Sequence, residues 1–282
     1  MYSKPTHFIL ELIQNANDNH YEHGVEPKLT VLYESDGRLW IGCNEVGFSA
    51  SNVWAICRVG ESTKKMQDTK KGYTGEKGIG FKSVFRVAEK VWIKSRELEF
   101  MFDRSKPLGM IAPEWAAPPQ PELVHETTVI CLQIPTQSDR TTVVHSLKNL
   151  KPELLIFLRQ LKHIDVESWN STSRPDFGYT ISKEDDEASG VKLTKLKHIA
   201  KVPTSTVCTD MLLVFEQTVS SMPSEEKRPG VTQSNIVMAF PVNDKVEAKA
   251  SGSQTTFAFL PVRSYGFPVR FLFFAMHLGD CC

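Results

Sequence analysis

The sequence has no surplus of charge of either sign: Lys and Arg together number 33, as do Asp and Glu. That balance gives neither nucleic acid nor an acidic membrane surface a global electrostatic foothold. No apolar run reaches the length that spans a bilayer, and the amino terminus is polar, unlike a secretory leader. The six cysteines form no Cys-x-x-Cys pair and have no zinc-like spacing with histidine. Their pattern argues against a disulfide scaffold and for a reduced, intracellular protein, cytoplasmic or nuclear. The terminal pair Cys281-Cys282 lacks the spacing of a prenylation signal. Common nucleotide motifs are missing too. A P-loop needs Lys directly after its last Gly, where Phe81 stands, and both a dinucleotide-binding turn and a kinase loop need Gly at position 83, which is Ser83.

What is present is a glycine-rich stretch, Gly72 to Phe85, in which Gly75, Gly78 and Gly80 lead into an apolar run with helical potential. Residues without a Cβ adopt positive φ freely and let backbone amides come close to an anion. A helix starting near Gly80 would turn its free N–H groups and positive dipole end toward the same anion. Six lysines lie between Lys64 and Lys82 against only Asp68 and Glu76, so the surroundings of the motif are locally positive. The plainer readings are a glycine-rich turn before a helix and a solvated loop.

With 282 residues and 41% hydrophobic composition the chain can bury a substantial core, and two domains are expected. From Phe8 to Asn19 the apolar residues Phe8, Ile9, Leu12, Ile13 and Ala16 share one helical face, and Glu11, Gln14, Asn15 and Asp18 share another stripe. A carboxylate one turn before a carboxamide can activate a water while the amide oxygen holds a hard metal; taken alone, the stripe reads as a solvated polar face. Leu29–Tyr33 and Arg38–Cys43 read as a hairpin around Ser35-Asp36-Gly37. A short helix carrying Val53, Trp54 and Ile56 follows, and then a polar, lysine-rich loop over residues 59–74 suited to cover a site. Lys90–Ser95 and Leu98–Asp103 read as paired strands, Pro107–Pro121 as a surface connection, Thr127–Ile134 as a strand, and Leu147–Leu161 as an amphipathic helix. The domain boundary falls near Glu167, giving domains of residues 1–166 and 167–282, the second β-rich and incomplete.

Four ordered segments resemble the GHKL ATPase superfamily of gyrase, the ninety-kilodalton heat-shock chaperone, histidine kinases and MutL, and within it the sacsin and NO VEIN branch. They are Glu11-Leu-Ile-Gln-Asn15-Ala-Asn-Asp18, Asn44-Glu45-Val46-Gly47-Phe48, Gly60-Glu-Ser62-Thr63-Lys64 and Gly75-Glu-Lys-Gly78-Ile-Gly80-Phe81-Lys82. The resemblance covers about the first 165 residues, with a further similar segment at 257–267, and implies that the chain is part of a larger protein. It implies an α+β fold, a two-layer α/β sandwich of the Bergerat ATP-binding type, followed by a partial β-rich second domain. It also implies ATP and Mg²⁺ as ligands, with Glu11 as general base for the water attacking the γ-phosphate and Asn15 as Mg²⁺ ligand. Gly47 would lie near the adenine and Ser62, Thr63 and Lys64 in the lid. Gly75, Gly78, Gly80, Phe81 and Lys82 would form the phosphate cradle, and Thr127 would help bind the base.

One position departs from the pattern. The family's turn is Asp-x-Gly-x-Gly, its Asp accepting from the adenine amino group, whereas Cys43 stands at the Asp position and Glu45 at the first Gly. Loss of a charge-assisted hydrogen bond of about 1.5–3 kcal/mol corresponds to roughly a ten- to hundredfold weaker affinity unless Asn44 or Glu45 substitutes. The expected function is therefore a Mg²⁺-dependent ATP-binding domain with slow hydrolysis, whose lid closure alters contacts with protein clients or neighbouring domains. The alternative is a degenerate, non-catalytic nucleotide-sensing or interaction module. A histidine kinase or DNA enzyme is disfavoured, because none of the eight histidines sits in a convincing phosphoacceptor helix.

Overall fold

The computed structural model describes residues 7–57, 80–119, 124–172, 174–188, 191–220, 233–249, 255–258, 260–264 and 270–273. Among these residues fourteen strands are hydrogen-bonded as one mixed sheet, in the order β13-β12-β14-β11-β10-β9-β8-β7-β1-β2-β6-β3-β4-β5. The α-helices in the same residues are α1 (His7–Asp18), α2 (Ala50–Cys57) and α3 (Gln137–Lys148). The expected two-layer α/β sandwich is therefore corrected to a single large mixed sheet with few helices. The reason lies in pairing: β7 (His163–Trp169) joins β1 (Lys28–Glu34) in parallel, Leu29 opposite Ile164 and Val31 opposite Val166, so the strands after residue 163 extend the sheet.

The chain divides into two compact units. The first comprises Met1–Leu150, Gln160–Ile181 and Ile199–Thr206. In it, β1 and β2 (Arg38–Cys43) form the expected hairpin, with Gly37 at φ +95° supplying the left-handed turn position. β6 (Thr128–Gln133) lies antiparallel between β2 and β3 (Lys90–Ser95), and β3 pairs with β4 (Leu98–Asp103). Its Thr-Val-Ile-Cys-Leu run is buried on both faces, as a central strand requires. The short β5 (Glu114–Trp115) ends the sheet.

Register sorts the side chains of these strands into rows, because alternate residues share a face. Tyr33, Leu39, Leu132, Val91 and Phe102 form one apolar row, and Val31, Ile41, Ile130, Ile93 and Phe100 the next. The third row is Leu29, Cys43, Thr128, Ser95 and Leu98, polar at its centre. The opposite face packs Leu32, Trp40, Val124, Val129 and Cys131, with Trp92 and Trp169 against them. Each such fully buried large side chain stabilises the fold by about 1.5–3 kcal/mol of transfer free energy.

The helix expected over Leu147–Leu161 is displaced. α3 starts at Thr136, whose hydroxyl accepts from the Asp139 N–H, and ends with Asn149 as C-cap. Pro152 forces Lys151 into extended backbone (φ −99°, ψ 140°) and admits only a 3₁₀ turn over Pro152–Phe157. His163 consequently begins strand β7, where its Nε2 lies 3.2 Å from a Glu26 carboxylate oxygen.

The second unit comprises Lys151–Arg159, Ser182–His198 and Val207–Cys282. It holds the inner part of the long strands β8 (Pro175–Ala188) and β9 (Val191–Val202), with β10 (Thr206–Ser220), β11 (Gln233–Val242) and the short β12 (Thr255–Ala258), β13 (Leu260–Ser264) and β14 (Arg270–Phe273). β10 and β11 are antiparallel, with the Phe215 and Phe240 rings edge to face. Buried Lys183 donates to the Leu158 carbonyl at 2.5 Å.

Candidate functional site

Helix α1 buries Phe8, Ile9, Leu12, Ile13 and Ala16, the apolar face its spacing defines. The other stripe is not solvated: Gln14 and Asp18 are buried as well, at 5% and 7% exposure, and Glu11 and Asn15 are half-buried. Glu11 Oε2 lies 2.6 Å from the point a Cβ on Gly80 would occupy, so only a glycine lets this carboxylate rest against the backbone there. One turn earlier, His7 Nδ1 lies 3.4 Å from Glu11 Oε1. Burial raises the Glu11 carboxyl above its ordinary value of 4.5 and, together with nearby Arg86, lowers the His7 imidazole. Both groups are thus pushed toward their neutral forms, and ionised Glu11 is a stronger base than a solvated carboxylate.

After Gly80 the chain forms a 3₁₀ turn over Phe81–Arg86 rather than an α-helix. Phe81 and Phe85 pack on Phe102, with centroids 6.5 and 5.9 Å away, which anchors the turn to the sheet. Its poor dipole alignment removes the anion site expected from a long helix starting here. Lys82 points elsewhere: its ammonium donates to the Met110 carbonyl, lies 5.3 Å from the Phe102 centroid, and has its pKa lowered by burial.

At the other end of α1 the polar row of the sheet comes into play. Tyr21 donates its hydroxyl proton to the Ala16 carbonyl at 2.6 Å, and its oxygen lies 3.2 Å from Cys43 Sγ. With the only phenolic proton used, the Cys43 thiol is the donor in that pair. Burial is the main cause that pushes the Cys43 thiol up to about 12. Asn44 faces back to the start of β1, its oxygen accepting from the Lys28 N–H at 2.8 Å and its amide donating to the Glu26 carbonyl at 2.9 Å. Gly47 has φ +92°, and a Cβ there would lie 2.7 Å from the Arg96 side chain. The loop is held to the β3–β4 hairpin by a 2.7 Å bond from the Phe48 N–H to Ser95 Oγ, which also lies 2.7 Å from Thr128 Oγ1.

Of the residues expected at the site, the structure brings Glu11 and Gly80 together and holds Phe81 nearby on Phe102. Asn15, one turn beyond Glu11, has no side-chain hydrogen bond among the described residues. Ser62, Thr63, Lys64, Gly75 and Gly78 lie outside the described residues. Thr127 is exposed, its carbonyl accepting from the Arg96 N–H, while Thr128 is the buried hydroxyl opposite Cys43. His7, Tyr21, Ser95 and Arg96 were not among the site residues expected from the sequence. His7 alone had a readable signal, its i−4 position to Glu11. Among the described residues no three His, Cys, Asp or Glu side chains converge as a metal site, and no helix is long and apolar enough to cross a membrane.

The described residues define a mixed-sheet protein in which one helix sets a half-buried carboxylate against a glycine backbone. No family model matches the chain. It is similar to Protein NO VEIN of Arabidopsis thaliana, 33% identical over 288 aligned positions that cover 94% of this chain and 10% of that protein. The chain is thus a NO VEIN-like relative that spans about a tenth of the length of the curated protein it matches.

Proposed function

We propose that the chain is a Mg²⁺-dependent ATP-binding domain of the GHKL type, with slow hydrolysis that acts on neighbouring domains or protein clients. The observation that carries the reading is the contact of the Glu11 carboxylate with the Gly80 backbone, which joins the helix motif to the end of the glycine motif. In this reading Glu11, made more basic by burial, takes the proton of the attacking water. The Asn15 side-chain oxygen, one turn on, is the available hard ligand for Mg²⁺, which would neutralise phosphate charge. Gly80 leaves room for the Glu11 carboxylate, and Glu11 and Asn15, one turn apart on α1, offer oxygen donors of the kind Mg²⁺ takes.

Isothermal titration of the full chain with a non-hydrolysable ATP analogue, with and without Mg²⁺, tests the reading. Mg²⁺-dependent binding that weakens at least about tenfold in Asn15→Ala is expected. No binding by demonstrably folded chain rules the domain out as a nucleotide site. The second reading, a non-catalytic interaction module, is favoured by the engagement of Cys43 with Tyr21, and that second result would select it.

A further inference from the structure

At the β5 end of the sheet an exposed tryptophan meets an open strand edge. β5 pairs with β4 through Phe100 opposite Trp115 and Met101 opposite Glu114, and the Ala116 N–H donates to the Glu99 carbonyl at 3.2 Å. Paired groups alternate along an antiparallel ladder, so residues 114 and 116 face β4 while the N–H and C=O of Trp115 face outward. No strand lies beyond β5 among the described residues, and the Trp115 side chain is 79% exposed. Leu108, 70% exposed, and Met110 are exposed as well, so three of the eight large apolar residues exposed among the described residues fall within Leu108–Trp115. An ordered turn presents them. The Gly109 N–H donates to the Lys106 carbonyl at 3.0 Å, the Ile111 and Ala112 N–H groups reach the Leu108 carbonyl at 2.8 Å, and the Lys82 ammonium holds the Met110 carbonyl. Leu108 sits at φ +57°, a left-handed conformation that residues with a Cβ rarely adopt, and strain that keeps a leucine in water points to use.

We propose that this edge docks an extended apolar segment of another protein, which adds to β5 as a further strand; this does not depend on nucleotide binding. The outward N–H and C=O of Trp115 call for a second backbone, which neither a lipid nor a nucleic acid supplies. A strand added there bonds both groups and sets a β-branched or aromatic side chain against the indole. Charge selects further. The exposed charges from Arg104 to Trp115 are Arg104, Lys106 and Glu114. Lys106 and Glu114 pair at 2.6 Å, which leaves the positive charge of Arg104 for an acidic residue of the partner to complement. The two-residue length of β5 keeps the contact small, as suits a weak, reversible partner.

The test is fluorescence anisotropy of the full chain with a labelled peptide of alternating valine and threonine between terminal glutamates, and with its copy N-methylated at every amide, which keeps the side chains and has no donors. Saturable binding is expected that weakens at least about tenfold for the methylated copy and for Trp115→Pro. Proline at position 115 removes the indole and an N–H that faces outward, so the pairing of β5 with β4 and the melting temperature stay as they are. Trp115→Ala keeps the N–H and weakens binding by up to about fivefold. Equal binding of the two peptides, equal binding by the unaltered chain and Trp115→Pro, or no saturation overturns the proposal. Dimerisation of the chain alone that Trp115→Pro abolishes, without binding of the peptide, gives the edge to a second copy and overturns it too. If Trp115→Pro does not fold, the two peptides on the unaltered chain decide.

Discussion

Glu11 Oε2 sits 2.6 Å from where a Cβ on Gly80 would stand, although 69 residues separate the two in the chain. Gly80 has ordinary helical backbone (φ −54°, ψ −51°), so its lack of a side chain serves the carboxylate and not the turn. Gly80→Ala introduces no backbone strain, yet the carboxylate must move by about 0.8 Å to reach an ordinary 3.4 Å contact. Displacement on that scale at a reacting group costs up to about a hundredfold in rate, so Mg²⁺-dependent ATP hydrolysis should fall roughly ten- to a hundredfold. The melting temperature should change by only a few degrees, because the contact is made by the end of a flexible side chain. An unchanged rate places the chemistry away from Glu11.

The same carboxylate carries a pH signature. Its folded pKa lies above its unfolded value, so the fold binds the proton more tightly than the unfolded chain does. The stability this contributes is complete below the ordinary value of 4.5 and is lost as pH rises through the folded value. Glu11→Gln, which keeps the shape and removes the charge, should therefore be more stable than the unaltered chain at pH 7. The gap should close by about pH 4, where both side chains are neutral. Urea midpoints at the two pH values measure it; a Gln variant less stable at pH 7 contradicts the burial of this charge.

Thiol reactivity separates the cysteines by their surroundings. With its thiol pushed up to about 12, Cys43 holds on the order of one thiolate in ten thousand at pH 8. Burial raises the Cys131 thiol as well. Exposed Cys208 should be alkylated by iodoacetamide within minutes, and Cys43 and Cys131 only after unfolding. Peptide mass spectrometry of the labelled chain reads this out, and early labelling of Cys43 would mean that Tyr21 does not cover it.

Asn17, 2% exposed, closes the carboxyl end of α1 against a distant segment. Its oxygen accepts from the Gln160 N–H at 3.0 Å and the Leu161 N–H at 3.3 Å, and Gln160 Nε2 returns a bond to the Asn17 carbonyl at 2.8 Å. Asn17→Ala leaves two backbone donors without that acceptor and should cost about 2–4 kcal/mol, read as a lowered urea midpoint at unchanged slope. A cost under about 0.5 kcal/mol would show that water replaces the amide.

Local pattern carried much of this protein. The alternation in Lys90–Ser95 and Leu98–Asp103, the turn at Gly37 and the apolar face of α1 were all readable, because each depends on residues within a few positions of one another. The start of α3 was also written locally, in Thr136 with Asp139, but the leucines from Leu147 to Leu161 drew the expected helix past it into the Pro152 turn. Their burial comes from a 3₁₀ turn, which a helical period does not distinguish.

By itself the sequence determined the strands of residues 28–43, 90–103 and 128–133, which face of α1 is apolar, and that a carboxylate, an amide and a glycine motif exist in that order. Only the tertiary structure decided that the strands join one mixed sheet and that the polar stripe of α1 is half-buried. It also decided that Cys43 answers to Tyr21 and that Thr128 rather than Thr127 faces inward. The physical reason is one of range. Periodicity and turn chemistry act over a few residues, whereas burial, pKa and the choice of hydrogen-bond partner depend on segments far apart in the chain, as when Asn17 meets Gln160.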